Sequence, residues 1–142
     1  MPGLVLKLRP GERIMVNGAV LENADRRSKL TVLTPNSQIL RLKDAIHPDS
    51  AKTPVRRVCY ILQLMIAGEA DPAPATVQVE RGIAQLRQAF AVAEADTALD
   101  EAQACLKDGQ LYPALRALKS LLPLEDRLLG FAVEPPARTG SG

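Results

Sequence analysis

"TPVRRVCYILQLMIAG", residues 53–68, is where the chain changes its period. Val55, Val58, Cys59, Leu62, Met65 and Ile66 recur at steps of three and four, the spacing of one buried helical face. Thr53 is a candidate N-cap, and Pro54 suits the first helical position, where a missing N–H costs nothing. Upstream of this stretch apolar residues alternate with polar ones, and downstream they keep the helical spacing. The order predicts an α+β fold, with a small N-terminal antiparallel sheet of about five strands followed by a C-terminal bundle of about four helices.

The upstream half reads as strands and turns. In "GLVLKLRPGE" Leu4, Leu6 and Leu8 face one way while Val5, Lys7 and Arg9 face the other, and Pro10-Gly11 then turns the chain. "RIMVNGAVLE" is a hairpin around Asn17-Gly18, the pair that best accepts the positive φ of a type I′ turn. "LENADRRSKLTVL", residues 21–33, reads as two apolar strand segments joined by a polar turn that carries Asp25, Arg26, Arg27, Ser28 and Lys29. Pro35-Asn36 marks a further turn. "SQILRLKD" alternates again, with Leu40 and Leu42 inward and Arg41 and Lys43 outward. Connections this short predict an antiparallel meander, buried on one face.

Downstream, "GEADPAPAT" breaks the chain. A second helix then carries Val79, Ile83, Leu86, Phe90 and Ala93 at helical spacing. Asp96 or Thr97 is a cap candidate for a third, with Ala98, Ala102 and Cys105 on one stripe and Gly109 as its stop. A fourth opens at Pro113 and runs through Leu115, Leu118 and Leu122 to Pro123. These boundaries divide the chain into a β subdomain (residues 1–48), a helical subdomain (49–132) and a Pro/Gly/Ser-rich tail (133–142) expected to be disordered.

Charge follows the same division. The net charge is +2, but residues 1–60 hold 11 lysines and arginines against 5 acids, and residues 61–142 hold 7 against 11. The first part, at +6, can attract polyanions, while the second, at −4, cannot. Aromatics are scarce, at 3% with no tryptophan, so stacking of many bases on aromatic platforms is excluded. Cys59 and Cys105 lie in apolar helical patterns without a CxxC partner and read as reduced, buried thiols in a reducing compartment. Lys7 and Arg9 interrupt the first apolar stretch, so no signal peptide is expected. The most apolar run, residues 58–68, is about half the length of a membrane span. The expectation is a cytoplasmic protein without membrane partners.

The residues for catalysis are missing. His47, the one histidine, precedes Pro48 and has no second ligand at metal spacing, so no metal is expected. The glycines form neither GxGxxG nor GxxxxGK[ST], and there is no nucleophile elbow. Asp96, Asp100 and Glu101 fall on the solvent side of the third helix, near its N-terminus, where the dipole favours them. The chain is read as a non-enzyme without cofactors.

That leaves the basic residues. Lys7 and Arg9 project from the first strand, Arg41 and Lys43 from the last, and Arg26, Arg27 and Lys29 crowd one turn. Arg56 and Arg57 sit in the first turn of the first helix, where cations oppose the dipole unless something negative is near. Two explanations stand: a solvated surface that keeps strand edges apart, or a phosphate-binding face.

"LVLKLRPGERIMVNGAVLEN", "DRRSKLTVLT", "ILRLKDAI" and "TPVRRVCYILQLMIAG", with the later "GQLYPALRALKSLLPLE", resemble in sequence and order the FlbT family of flagellin regulators of alphaproteobacteria. The resemblance spans nearly residues 3–130. It implies post-transcriptional control of flagellin through the 5′ leader of its mRNA, by a change in translation or lifetime whose direction differs among relatives. "LVLKLRPGERIMVNG" is also similar to the opening of the CsrA carbon-storage RNA regulators. There Arg9 matches the second of two basic residues before a turn formed by Gly11-Glu12, and Leu8 replaces the first.

With the resemblance, RNA binding leads. Lys7, Arg9, Arg26, Arg27, Lys29, Arg41, Lys43, Arg56 and Arg57 are candidate contacts, chosen by charge and face. For the turn, a structural alternative ties Asp25 and Arg26 into its own backbone, or pairs Arg27 with Asp44. At the level of function, the alternative is a protein-interaction module that binds flagellin or another flagellar protein through Leu111, Leu115, Leu118 and Leu122. Homo-oligomerisation through an open sheet edge is compatible with either.

Overall fold

The computed structural model describes residues 4–34 and 37–130. The turn expected at Pro35-Asn36 and the tail from residue 133 lie outside the described residues. Five strands come first: β1 (Leu4–Leu8), β2 (Arg13–Val16), β3 (Ala19–Glu22), β4 (Ser28–Val32) and β5 (Ile39–Arg41). Two 3₁₀ turns, Leu42–Asp44 and Pro48–Ser50, lead into α1 (Pro54–Ile66), α2 (Pro72–Ala89), α3 (Ala93–Lys107), α4 (Leu111–Lys119) and α5 (Leu122–Leu128). The α+β class and its order are as the sequence predicts.

The strands do not form a meander. β1 pairs with β4, and β2 pairs with both β3 and β5, all antiparallel. Leu4 stands opposite Val32 and Leu8 opposite Ser28. Beyond a bend, Arg13 stands opposite Glu22 and Val16 opposite Ala19. β1 and β2 therefore run as one bent strand along β3 and β4, closed by Asn17 (φ 50°) and Gly18 (φ 88°). The basic stretch between β3 and β4 is not a hairpin turn but one side of that bend. Asn17-Gly18 reverses the chain, so β3 and β4 point the same way and cannot pair with each other. Leu6, Leu8 and Ile14 are buried, and Val5 and Lys7 are exposed, the alternation of a half-buried ribbon.

α1 is the axis of the helical half and packs against α2, α4, α5 and β5. Its Val55, Cys59 and Leu62 have no solvent exposure. Full burial of such a side chain contributes about 1.5–3 kcal/mol. α2 approaches closely at Gly82, where an added Cβ would meet Val58 Cγ2 at 2.5 Å. Among the described residues there are five helices, where about four were expected. Pro123, expected to end α4, lies in the first turn of α5, where a proline without an N–H is tolerated. Pro72 likewise opens α2, and α3 starts at Ala93, ahead of the polar cap candidates Asp96 and Thr97.

One core joins strands to helices, with Leu6, Ile14, Ile39 and Leu40 in the same cluster as Leu62, Leu115 and Leu118. The Gln63 amide holds the connection. Its Oε1 accepts from Ile46 N at 2.6 Å, and its Nε2 donates to Ile46 O at 2.9 Å. Lys119 Nζ donates to the carbonyl of Asp44.

The N-terminus of α1 receives a second anchor. Glu125, with no solvent exposure, accepts from Thr53 Oγ1 at 2.5 Å, Val55 N at 2.7 Å and Arg56 Nη1 at 3.0 Å. Asp126 accepts from the same Arg56 nitrogen at 3.0 Å. The cation in the first turn of α1 thus meets two carboxylates from α5, which offset its conflict with the dipole. Glu125→Ala leaves a buried N–H and hydroxyl unpaired beside a half-paired guanidinium. Urea denaturation should show a loss of about 3–5 kcal/mol, and a loss under about 1 kcal/mol would contradict this role.

Candidate nucleic-acid interface

The bend in the ribbon is built by two polar side chains. Glu12 Oε1 accepts from Arg9 N at 3.0 Å, and Glu12 Oε2 accepts from Arg41 Nε at 2.8 Å. Asn23 Nδ2 donates to Arg9 O at 2.8 Å and to Arg26 O at 2.7 Å, which links the two sides of the bend. Gly11 takes φ +74° and donates from its N–H to the carbonyls of Asn23 and Ala24. A glycine serves here because L side chains disfavour this conformation.

Glu12 is 8% exposed, although it lies among basic residues. Burial raises its pKa, but the Arg9 N–H, the Arg41 hydrogen bond and the charges of Arg41 and Lys43 outweigh that, so the carboxyl lies below its ordinary value. Arg41 is held above its own ordinary value by the same pair, against the effect of burial. Its Nη2 also donates to Lys7 O at 2.6 Å.

Around the bend the basic residues fall into two groups. Lys7, Arg9, Arg27, Lys29 and Lys43 line one cleft of about 450 Å³, together with Leu8 and Ser28. No acid lines it. Lys7 and Lys29 are direct cross-strand partners. Arg9 and Arg27 follow one residue past the Leu8–Ser28 pair, the last of that ladder. The period of two puts Lys7 with Arg9, and Lys29 with Arg27, on one face of the ribbon. Like charges directly opposite each other destabilise a ribbon. None of these four side chains has an ion-pair partner among the described residues, and Arg27 does not reach Asp44. Lys43 Nζ stands 4.0 Å from Glu12 Oε2.

The other candidates sit elsewhere. Arg41, expected to face outward, is half-buried, because the buried carboxylate of Glu12 draws it in. Arg56 is committed to Glu125 and Asp126. Arg57 is exposed and donates to Lys52 O at 3.1 Å. Arg26 is exposed at the bend, where its carbonyl, rather than its side chain, is tied into the turn. Leu115 and Leu118 are buried, and Leu111 and Leu122 pack partly buried against the same cluster, so this stripe is core rather than an open groove.

Sequence reasoning missed Glu12, Asn23 and Glu125. The signal for Glu12 was its place in the Gly11-Glu12 turn, an acid within a basic segment. Burial pushes the Cys59 thiol up to about 12, while Cys105 is half-buried. Among the described residues no group of three or more His, Cys, Asp or Glu could hold a metal, and no helix is long and apolar enough to cross a membrane.

A small bent ribbon with an exposed cationic face, packed on a helical bundle, is the α+β architecture that carries the candidate site. The chain belongs to the family described as flagellar protein FlbT, whose model matches residues 4–129. It is 34% identical over 127 residues to the probable flagellum biosynthesis repressor protein FlbT of Mesorhizobium japonicum, covering 89% of this chain and 85% of that protein. It is 35% identical over 130 residues to the protein of the same name from Caulobacter sp. strain K31, covering 89% and 96%. The flagellum biosynthesis repressor protein FlbT of Caulobacter vibrioides is 33% identical over 130 residues, covering 89% of each chain. No solved structure matches.

Because the Glu12 carboxyl is depressed in the folded state, its contribution is complete above the ordinary glutamate pKa, about 4.3, and is lost as pH falls through the lower folded value. Glu12→Gln should therefore be less stable than the wild type at pH 7, with the gap closing below pH ~4. Thermal melts across that range check it. A gap that stays constant with pH would show that the Glu12 charge does not hold the bend.

Proposed function

We propose that this chain represses flagellar biosynthesis in the cytoplasm by binding the 5′ leader of flagellin mRNA along the bent ribbon, and that it leaves degradation to other proteins. The observation that carries the reading is the face made by Lys7, Arg9, Arg27 and Lys29, which share a cleft without a single acid. A solvated surface has no need to set lysine against lysine at a ladder pair, since that arrangement costs stability. An anion laid across the pair converts the cost into attraction. Regulation of flagellar biosynthesis is supported by the names of the relatives. Arg26, at the rim, and Lys43 extend the same surface, while Arg41 acts from beneath by holding Glu12. Against the competing module, which would bind flagellin through its leucine stripe, stands the burial of Leu115 and Leu118 and the partial burial of Leu111 and Leu122.

Titration of the full chain with leader RNA at several salt concentrations tests the reading. Four neutralised phosphates predict a slope of log affinity on log salt of about −3, from ~0.7 per phosphate on a single strand. Lys7→Ala/Lys29→Ala should weaken binding and flatten that slope by about 1.4. Absence of leader binding at low salt, or a double variant that binds as the wild type does, would overturn the assignment of this face.

A further inference from the structure

The cleft is more specific than a surface that tracks an RNA backbone. Lys7, Arg9, Arg27 and Lys29 occupy two successive positions of one face on two adjacent strands. Two positions of the same face are about 7 Å apart along a strand, and residues directly opposite have Cβ atoms about 5 Å apart. The four cationic side chains thus spring from a patch of backbone about 7 Å by 5 Å, and Lys43, in the 3₁₀ turn, lines the same cleft. Even at the duplex spacing of about 3.4 Å per phosphate, a nucleic-acid strand crossing 7 Å presents only about two charges. Four or five cations outnumber the phosphates directly over that span, so a strand engages all of them only with phosphates beyond it.

The lining also lacks an aromatic platform for stacking bases. It has no aromatic ring, asparagine or glutamine, and Leu8 is its one apolar side chain. Recognition here is of charge. The volume, about 450 Å³, lies within the range of small-molecule sites. Arg9 and Arg27 can each grip phosphate oxygens with two parallel N–H donors, while the lysines act as point charges.

We infer that the Lys7/Arg9/Arg27/Lys29/Lys43 cleft binds the 5′-polyphosphate of a nucleotide, either at the first residue of an unprocessed transcript or on a free nucleoside triphosphate. A triphosphate packs its charges into the dimensions of the patch, which a chain of phosphodiesters cannot. The inference rests on the RNA reading above and gives it a location: the cleft holds the 5′ end, and the rest of the leader runs past Arg26. The cleft has no acid to position a metal and no general base, so the group is held rather than cleaved.

The test uses one leader RNA in three forms, with a 5′-triphosphate, a 5′-monophosphate or a 5′-hydroxyl, titrated against the full chain at fixed salt, with ATP titrated separately. The triphosphate form should bind at least about tenfold tighter than the hydroxyl form, the scale of one charge-assisted hydrogen bond, with the monophosphate between them. Arg27→Ala should abolish the difference. Arg27 is exposed, so its replacement leaves the core intact. ATP as tight as the triphosphate RNA, and sensitive to Arg27→Ala, supports the site with a free nucleotide as its source. ATP much weaker than the triphosphate RNA assigns the transcript end. Equal affinity for all three RNA forms, with no ATP binding, overturns the inference and leaves leader binding intact. Failure of every form to bind sinks the RNA reading itself.

Discussion

One buried carboxylate, Glu12, decides the shape of the β half. It ties the backbone of the bend to Arg41 on β5 and lies 4.0 Å from Lys43. A carboxylate taken out of water is costly unless its lone pairs are filled, and here both oxygens accept hydrogen bonds. The consequence is geometric. A continuous flat ribbon would alternate its charges evenly along its length. Arg9 and Arg27 stand at the bend, in one cleft with Lys7 and Lys29. The cationic face and the buried anion therefore belong to one construction, with the anion consuming Arg41 and leaving the others without acids.

Glu125 does for the helices what Glu12 does for the strands. It closes the N-terminus of α1 from a distant point in the chain and takes up Arg56 with the help of Asp126. Between them the two glutamates sort the basic residues. Arg41 and Arg56 are structural, although their positions in the sequence look as exposed as any others. Lys7, Arg9, Arg27 and Lys29 stay exposed, with no ion-pair partner among the described residues. Removing a charge from the first group costs stability, because a buried partner is left behind, whereas removing one from the second relieves repulsion.

Much of this was legible in the sequence. Period two before residue 53 and period 3.6 after it separate strands from helices, and Thr53-Pro54 marks the start of α1. Asn17-Gly18 locates the hairpin. What escaped was pairing over distance. Strand periodicity carries no information about partners, so a long bent ribbon and a meander look alike until the bend is recognised. The basic residues were visible as a set, but dividing them required two acids whose partners lie 29 and 69 residues away in sequence. The leucine stripe on α4 reads identically whether it faces a partner or the protein's own α1 and α3.

The proposed RNA face on the bent ribbon is open to direct mapping by NMR in a chain of 15.3 kDa. Backbone amide shifts of the labelled full chain, recorded through a titration with leader RNA, read every surface at once. The changes should concentrate at residues 7–9, 26–29 and 43, with the outer faces of α2 and α3 unmoved. Changes confined to the helices, with the ribbon silent, would contradict that placement and leave the cationic face without a ligand.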